Sequence, residues 1–246
     1  MDDPLALAVA QPACRARDVA ANVAQHARLV RWAGGGVVVF PELSLTGYEP
    51  DAAAVDPVDP VLAPLVAACA ATGATALVGA PVADGPAREA GRTGRHLAVL
   101  GVDGAGVRVA YRKVCLGAAE RASFEPGPGP RALEVGRWRL GLGVCRDTGV
   151  PAQVEATVAL GVDAYVAGVC HHDHELAEQD ARGAGIARRH GVAVALASFA
   201  GPTGGGFART AGTSTIWGPD AGVLARASVR HGCVVGARLT GVTRTT

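Results

Sequence analysis

The stretch VVVFPELSLTGY, residues 37–48, decides how the rest of this sequence is interpreted. Its first four residues form an apolar run of the length typical of a buried strand. Pro41 ends the run and is followed at once by a carboxylate, Glu42. Ligands of open α/β sheets bind beyond the carboxyl ends of the strands. An acid at this position therefore raises the question of a functional role.

Strand and helix patterns alternate on both sides of this stretch. The helix predicted at 18–33 has apolar residues at helical spacing, Asp18 as its N-cap and three glycines after it. Further helices are predicted at 59–73, 151–161 and 177–190, and strands at 4–11, 75–82, 138–147, 162–169, 192–199 and 233–239. Strands followed by helices favour parallel pairs, whereas hairpins around residues 103–104 and 219–222 favour mixed sheets. We expect one α/β domain over residues 1–246, with the helices outside.

Three segments rich in glycine and proline are interpreted as turns and loops. The glycines of GVDGAG, residues 101–106, have the wrong spacing for a G-x-G-x-x-G nucleotide-binding motif, so the DG pair predicts a hairpin turn. PGPGP, residues 126–130, is predicted to be a rigid loop and not a domain linker. Residues 84–95 are polar and predict a surface loop.

Composition and charge exclude several classes of protein. Of 246 residues, 49% are hydrophobic and 18% are charged, as in a globular chain. A net charge of +1 argues against a nucleic-acid partner. No segment has the roughly 20 apolar residues of a membrane span, and Asp2 and Asp3 stand where a signal peptide has basic residues. We predict a cytoplasmic protein without a membrane partner, whose six cysteines are reduced thiols.

Three reactive side chains each follow an apolar run. They are Glu42 after VVVFP, Lys113 after VRVAYR and Cys145 after RLGLGV. A carboxylate can take the proton of a thiol, and the resulting thiolate is the attacking species. An ammonium can stabilise the oxygen that becomes negative when a carbonyl carbon turns tetrahedral. Taken singly, the acid fits a surface turn, the lysine a strand edge and the cysteine a core position.

Together, the three motifs resemble those of the carbon–nitrogen hydrolase, or nitrilase, superfamily. VVFPELSLTGY matches the motif of the general base, Glu42, and YRKVCL matches that of the lysine, Lys113. GLGVCRD matches the motif of the nucleophile, Cys145. In KVCLGAAERASFEPG, Glu120 stands where the family has a second glutamate that orients the lysine. The resemblance covers nearly the whole chain, in the family order.

The resemblance implies a fold, a reaction and an assembly. The fold would be a four-layer αββα sandwich with two mixed β-sheets, and the assembly a homodimer or a larger homo-oligomer. The reaction would be hydrolysis of a non-peptide carbon–nitrogen bond in a small-molecule amide, through a thioester acyl-enzyme, with release of ammonia or an amine. It needs no cofactor and no metal. The CRD sequence is closer to amidases, while N-carbamoyl amine hydrolysis and nitrile hydrolysis stay open.

Four departures from the family pattern concern the substrate. Position 146, often aromatic or acidic in family amidases, is Arg146, and VPA replaces FPE at residues 150–152. Cys115 stands where many members have a histidine, and Ser198 stands near the usual asparagine. None of them removes a member of the triad. Arg146 could bind a substrate carboxylate or form an internal salt bridge, for example with Asp147.

The segment CHHDHE, residues 170–175, allows three interpretations. It could be a solvated polar loop, a substrate-contacting segment with His171 and His172 as the contacts, or a metal site. The metal site is the weakest of the three, because successive loop residues point in different directions.

Two rival functions also fit the sequence. One is a catalytically silent relative that binds a small molecule. The other is a papain-like hydrolase, in which Cys145 would be paired with one of the seven histidines and Glu42 would be dispensable.

Overall fold

The computed structural model describes residues 4–84 and 94–241. Of the surface loop predicted at 84–95, residues 85–93 lie outside the described residues, and Arg95 is already the first residue of a strand. The described chain forms twelve strands and four α-helices: β1 Leu5–Gln11, α1 Val19–Ala33, β2 Val37–Val39, α2 Ala63–Thr72, β3 Thr75–Ala83, β4 Arg95–Asp103, β5 Gly106–Arg112, β6 Arg131–Val135, β7 Trp138–Val144, α3 Pro151–Val158, β8 Ala164–Val169, α4 Leu176–His190, β9 Ala193–Ser198, β10 Thr215–Trp217, β11 Val223–Arg226 and β12 Cys233–Leu239.

The predicted helices and strands are all present, with small shifts at their ends. Asp18 caps α1 through a hydrogen bond from the Ala21 amide, and Gly34 ends it in the left-handed conformation. The first turn of the helix predicted from residue 59 is a 3₁₀ turn instead. Strand β6 was not predicted. It pairs antiparallel with β7 directly after the PGPGP loop.

The strands form two six-stranded sheets of mixed type. The first sheet has the order β12-β1-β2-β3-β4-β5, and the second has the order β11-β10-β9-β8-β7-β6. In the first sheet β2 lies parallel to β1 and β3, and in the second β8 lies parallel to β7 and β9. The outer pairs of both sheets are antiparallel. The parallel strands at each centre bring their carboxyl ends to one edge of each sheet.

Three apolar cores separate four layers. One core packs α1 and α2 against the first sheet, a second lies between the two sheets, and a third packs α3 and α4 against the second sheet. Strand β2 shows how alternation serves two cores at once. Val37 and Val39 face the second sheet, while Val38 faces the helices. The predicted αββα sandwich is therefore confirmed.

The segment that follows β2 passes between the sheets at very short range. A Cβ atom on Gly79 of β3 would come 2.3 Å from the Leu43 amide nitrogen, and one on Gly168 of β8 would come 2.5 Å from the Phe40 carbonyl oxygen. Glycine inside a strand marks such close approaches of another backbone. The position of Glu42 is thus determined by two glycines, one from each sheet.

We expect Gly168→Ala to lower the free energy of unfolding by about 3 kcal/mol or more, because the added carbon has no room beside residues 40–42. Gly185→Ala is the matched control. Its Cβ atom would meet nothing within 4 Å, and alanine in a helix is favoured over glycine by about 0.5–1 kcal/mol. Urea unfolding measures both variants. Equal midpoints for the two would contradict the close approach.

Candidate active site

Glu42 lies just beyond β2, with its side chain removed from solvent. Its exposed fraction is 1%. Oxygen Oε1 accepts a hydrogen bond of 2.6 Å from Lys113 Nζ. Oxygen Oε2 is buried and is not bonded to Lys113. Glu42 also interacts with the Cys145 side chain, and this interaction lowers the pKa of the acid.

Lys113 follows β5 and is equally buried, with an exposed fraction of 1%. Its ammonium donates to Glu42 Oε1 and to Glu120 Oε1, each at 2.6 Å. Glu120 is fixed in turn, because its Oε2 accepts from the Gly117 amide at 2.6 Å. A buried ammonium is tolerated only when it is paired. The two carboxylates supply that pairing.

Cys145 lies where β7 ends and a 3₁₀ turn begins. Its φ of +39° is unusual for a residue with a side chain, and such backbone strain is typical of functional positions. The thiol donates a 3.4 Å hydrogen bond to the Cys170 carbonyl at the end of β8. The residue as a whole is half-buried, but its thiol is sheltered enough for burial to be the main influence on its pKa.

The pKa values of these groups show that they interact. Burial raises the pKa of Glu42 to about 8, although the Lys113 ammonium opposes the change. Burial, together with the negative charge of Glu42, raises the pKa of the Cys145 thiol to about 12. Burial alone would lower the pKa of Lys113, but Glu42, Cys145 and Glu120 outweigh it and raise this pKa. The structure therefore brings together all four residues that the sequence placed in the catalytic set.

Tyr48 belongs to the same cluster and was not predicted. Its hydroxyl donates to Glu120 Oε1 at 2.9 Å. Burial raises its pKa, and the charges of Glu42, Glu120 and Cys145 add to the increase, so the phenol stays protonated as a donor. The sequence feature that could have pointed to Tyr48 is its position at the end of the stretch 37–48, six residues beyond Glu42.

Asp147 is a second residue whose role the sequence did not reveal. Its fully buried carboxylate accepts hydrogen bonds from the Val144 amide at 3.0 Å, the Cys115 amide at 2.8 Å and the Tyr111 hydroxyl at 2.9 Å. These donors come from both sides of the site, so Asp147 ties the turn of Cys145 to the segment that carries Lys113. The suggested salt bridge between Asp147 and Arg146 is wrong. Arg146 is exposed and makes no side-chain hydrogen bond or ion pair with the described residues.

The histidines of residues 170–175 differ in their surroundings. Both ring nitrogens of His171 are engaged, Nδ1 with Gln179 Oε1 and Nε2 with Arg182 Nη1, each at 3.3 Å. Since an arginine only donates, His171 is a neutral ring that donates through Nδ1. Burial, reinforced by the Arg182 charge, lowers its pKa. His172 instead stacks on Phe207, with ring centroids 4.2 Å apart.

The two acids of this segment are engaged as well. Asp173 forms an ion pair with Arg209 at 2.9 Å, and Glu175 accepts from the His172 amide at 2.8 Å. Within residues 4–84 and 94–241, no group of three or more histidine, cysteine, aspartate or glutamate side chains could hold a metal ion. All six cysteines are free thiols. No helix in the described part of the chain is long and apolar enough to cross a membrane.

We expect Asp147→Ala to lower the free energy of unfolding by about 3–5 kcal/mol, because it leaves three buried donors unpaired. Glu155→Ala is the control. Glu155 is an exposed carboxylate on the neighbouring helix α3, and its loss should change the free energy by less than about 0.5 kcal/mol. Denaturant unfolding of both variants decides the point. An Asp147→Ala protein as stable as the control would refute the linking role.

Comparison with known proteins places this arrangement in a family. The structure of Nit3 from Saccharomyces cerevisiae, a member of branch 10 of the nitrilase superfamily, superimposes with a TM-score of 0.83 at 18% identity, over 96% of this chain and 90% of that chain. A variant of the amidase from Nesterenkonia sp. AN1 with the acetamide moiety of fluoroacetamide covalently added at its active-site cysteine gives 0.81 at 25% identity, with the same coverage. Another variant of that amidase, in complex with butyramide, gives 0.78 at 26% identity, again over 96% and 90% of the two chains.

The chain matches no curated protein sequence. The model of the carbon–nitrogen hydrolase family matches residues 6–239, which is nearly the full length. The chain therefore belongs to the carbon–nitrogen hydrolase family and has the nitrilase-superfamily fold.

Proposed function

We propose that this hydrolase cleaves the amide bond of a small, non-peptide molecule, with Glu42 as general base, Cys145 as nucleophile and Lys113 as stabiliser of the developing oxyanion. Glu120 holds Lys113 in place. One observation carries the proposal: a buried ammonium lies 2.6 Å from each of two carboxylates, and the charges of all three act on a strained cysteine at a strand end. Membership of a carbon–nitrogen hydrolase family supports the reaction class.

The chemistry begins with attack by sulfur. Glu42 takes the thiol proton as Cys145 Sγ bonds to the carbonyl carbon, and the π electrons of the carbonyl move to oxygen beside the Lys113 ammonium. Oxygen Oε2 of Glu42 suits this step because Oε1 is already occupied by Lys113. The C–N bond then breaks, and the leaving nitrogen takes the proton from Glu42. Ammonia or an amine departs and leaves a thioester.

Water completes the cycle. Glu42 takes a proton from a water molecule as the oxygen of that water bonds to the thioester carbon. The C–S bond then breaks, and the sulfur takes the proton back from Glu42. The carboxylic acid product leaves. A base that accepts and returns protons near neutral pH works best with a pKa close to that pH, and burial raises the pKa of Glu42 to about 8. No step of this scheme uses a metal ion or a cofactor.

Two observations favour this proposal over its rivals. His171, which follows Cys170 in sequence, has both ring nitrogens engaged with Gln179 and Arg182, so it offers no free nitrogen as a papain-type base. The complete set of Glu42, Lys113 and Cys145 argues against a silent relative. The amidase of similar fold that was crystallised with butyramide supports a small aliphatic amide as the substrate.

Substrate contacts at the mouth of the site complete the proposal. Arg146 is exposed and free of side-chain partners among the described residues, so it is available to a carboxylate on the substrate. His172, half-buried beside Phe207, is available to the acyl group. Substrate contact by His171 stays a prediction, as do the homodimer, the cytoplasmic location and the single domain over residues 1–246.

Ammonia release from acetamide, butyramide, an N-carbamoyl amino acid and a nitrile tests the triad. We expect Cys145→Ala to lose at least about 10³-fold in kcat/KM and Glu42→Gln about 10²–10⁴-fold. Cys233→Ala, in β12 and outside the site, is the control and should keep the wild-type rate. Intact mass spectrometry of the quenched wild-type enzyme should show an acyl adduct on Cys145.

The results separate the rivals. A Glu42→Gln protein that keeps its activity would support a histidine base and refute our scheme. A wild-type protein that releases no ammonia from any of the four compounds and forms no adduct would be a silent relative. A preference for the N-carbamoyl compound or the nitrile would leave the triad intact and correct the substrate.

The pH dependence of kcat/KM provides a further test. A carboxylic acid is an effective base only when ionised, and the pKa of Glu42 is raised to about 8. We therefore expect log kcat/KM to rise with a slope near +1 from pH 5.5 and to level off near pH 8. A profile that is flat between pH 5.5 and 8 would show that Glu42 is ionised over this whole range, contrary to its burial.

A further inference from the structure

The connection between β9 and β10 forms an arm that lies against both sides of the site. We call residues 201–209 the glycine arm, because GPTGGGFAR contains four glycines. Its base is closed by an antiparallel bridge between Ala200 and Ala211. Neither the sequence motifs nor the proposed triad assigns it a role.

One side of the glycine arm is attached to the segment that carries Glu42. The Thr203 hydroxyl accepts a 2.9 Å hydrogen bond from the Tyr48 amide. A Cβ atom on Gly205 would lie 2.6 Å from the Tyr48 ring, and one on Gly204 would lie 2.2 Å from Glu49 Oε1. The arm can therefore approach Tyr48 this closely only because these residues lack side chains.

The other side of the glycine arm is attached to the segment that follows Cys170. The Asp173 amide donates to the Arg209 carbonyl at 3.3 Å, and the two side chains form an exposed ion pair. A bridge joins His172 to Thr210, directly after the arm. The Cys170 carbonyl, which accepts the Cys145 thiol, lies on this same segment, two residues before His172.

Phe207 fills the gap between the two sides. Its ring stacks on His172 at a centroid distance of 4.2 Å and meets Tyr48 edge-on at 4.9 Å. Tyr48 donates to Glu120, which holds Lys113. The three rings thus run from the acid side of the site to the thiol side, and all three are half-buried. A wall of this kind limits what can project from a carbon bonded to Cys145.

We propose that Phe207, held by the glycine arm between Tyr48 and His172, is a specificity-determining residue that restricts the substrate to amides with a short acyl chain. The inference rests on the proposed function, since a primary amide loses only ammonia and its remaining bulk is the acyl group. A hydrophobic wall discriminates between chain lengths by excluding added methylenes. One methylene changes kcat/KM by about 10–200-fold. The glycines set the position of the wall by allowing close contact with Tyr48.

The experiment compares Phe207→Ala and Gly205→Ala with Gly206→Ala. Gly205 and Gly206 both have positive φ, +64° and +88°, so alanine strains the backbone at either position. Only at Gly205 would the added carbon strike Tyr48, because a Cβ on Gly206 meets nothing within 4 Å. We expect Phe207→Ala and Gly205→Ala to raise the ratio of kcat/KM for hexanamide to that for acetamide by about 10-fold or more. Gly206→Ala should leave the ratio unchanged.

Alkylation of Cys145 gives a readout that does not need turnover. Peptide mass spectrometry follows labelling by iodoacetamide and by N-hexyl iodoacetamide. The wild type should react more slowly with the bulky reagent, and Phe207→Ala should remove most of that difference. A wild-type protein that hydrolyses no amide but still reacts more slowly with the bulky reagent would refute the proposed reaction and support the role of Phe207. If Phe207→Ala lowered kcat/KM equally for all substrates and slowed labelling equally for both reagents, Phe207 would have a structural role only, and the inference would be refuted.

Discussion

The structure depends on a buried ammonium shared by two carboxylates. Removing Lys113 from water costs several kcal/mol unless its charge is paired and its hydrogens are bonded. Glu42 and Glu120 provide both, at 2.6 Å each. The three residues come from the segments after β2 and β5 and from a 3₁₀ turn, so the pairing holds three separate parts of the chain at one point. One carboxylate is enough to balance the ammonium charge, and the second accepts another of its hydrogens, so the fold and the site are stabilised by the same contact.

That contact is possible only where two backbones approach more closely than side chains allow. Glu42 follows a strand of the first sheet, yet its segment touches the second sheet through Gly168 and its own sheet through Gly79. The strained turn at Cys145 is stabilised by Asp147, whose carboxylate also accepts from the Cys115 amide. Local strain of this kind persists only when its surroundings hold it in place. Here, close glycine contacts and one buried carboxylate hold the acid and the thiol in position.

The sequence predicted what lies at strand ends and failed where a role depends on three-dimensional packing. Glu42, Lys113 and Cys145 follow apolar runs, and the pattern of strands, helices and hairpins predicted one α/β domain with mixed strand pairing. The arrangement in two sheets was implied only by the family resemblance. Asp147 appeared only as a possible partner of Arg146, since its three donors lie 3 to 36 positions away. Strand β6 was missed because its five residues follow a loop rich in proline and glycine, and because two of the five are exposed and none is fully buried. Phe207 gave no signal, because its neighbours Tyr48 and His172 are distant in sequence.

The same burial that pairs Lys113 also decides how the thiol can react. It raises the pKa of Glu42 to about 8 and that of Cys145 to about 12, so the acid and the thiol both hold their protons more strongly than in water. The raised pKa favours the thiol over the thiolate, so the sulfur becomes a strong nucleophile only as its proton is removed. In the proposed chemistry the proton moves from sulfur to Glu42 only as the bond to carbon forms, when negative charge passes to an oxygen beside Lys113. The ammonium thus serves one purpose in the resting fold and another in the reaction, and both require the same buried position.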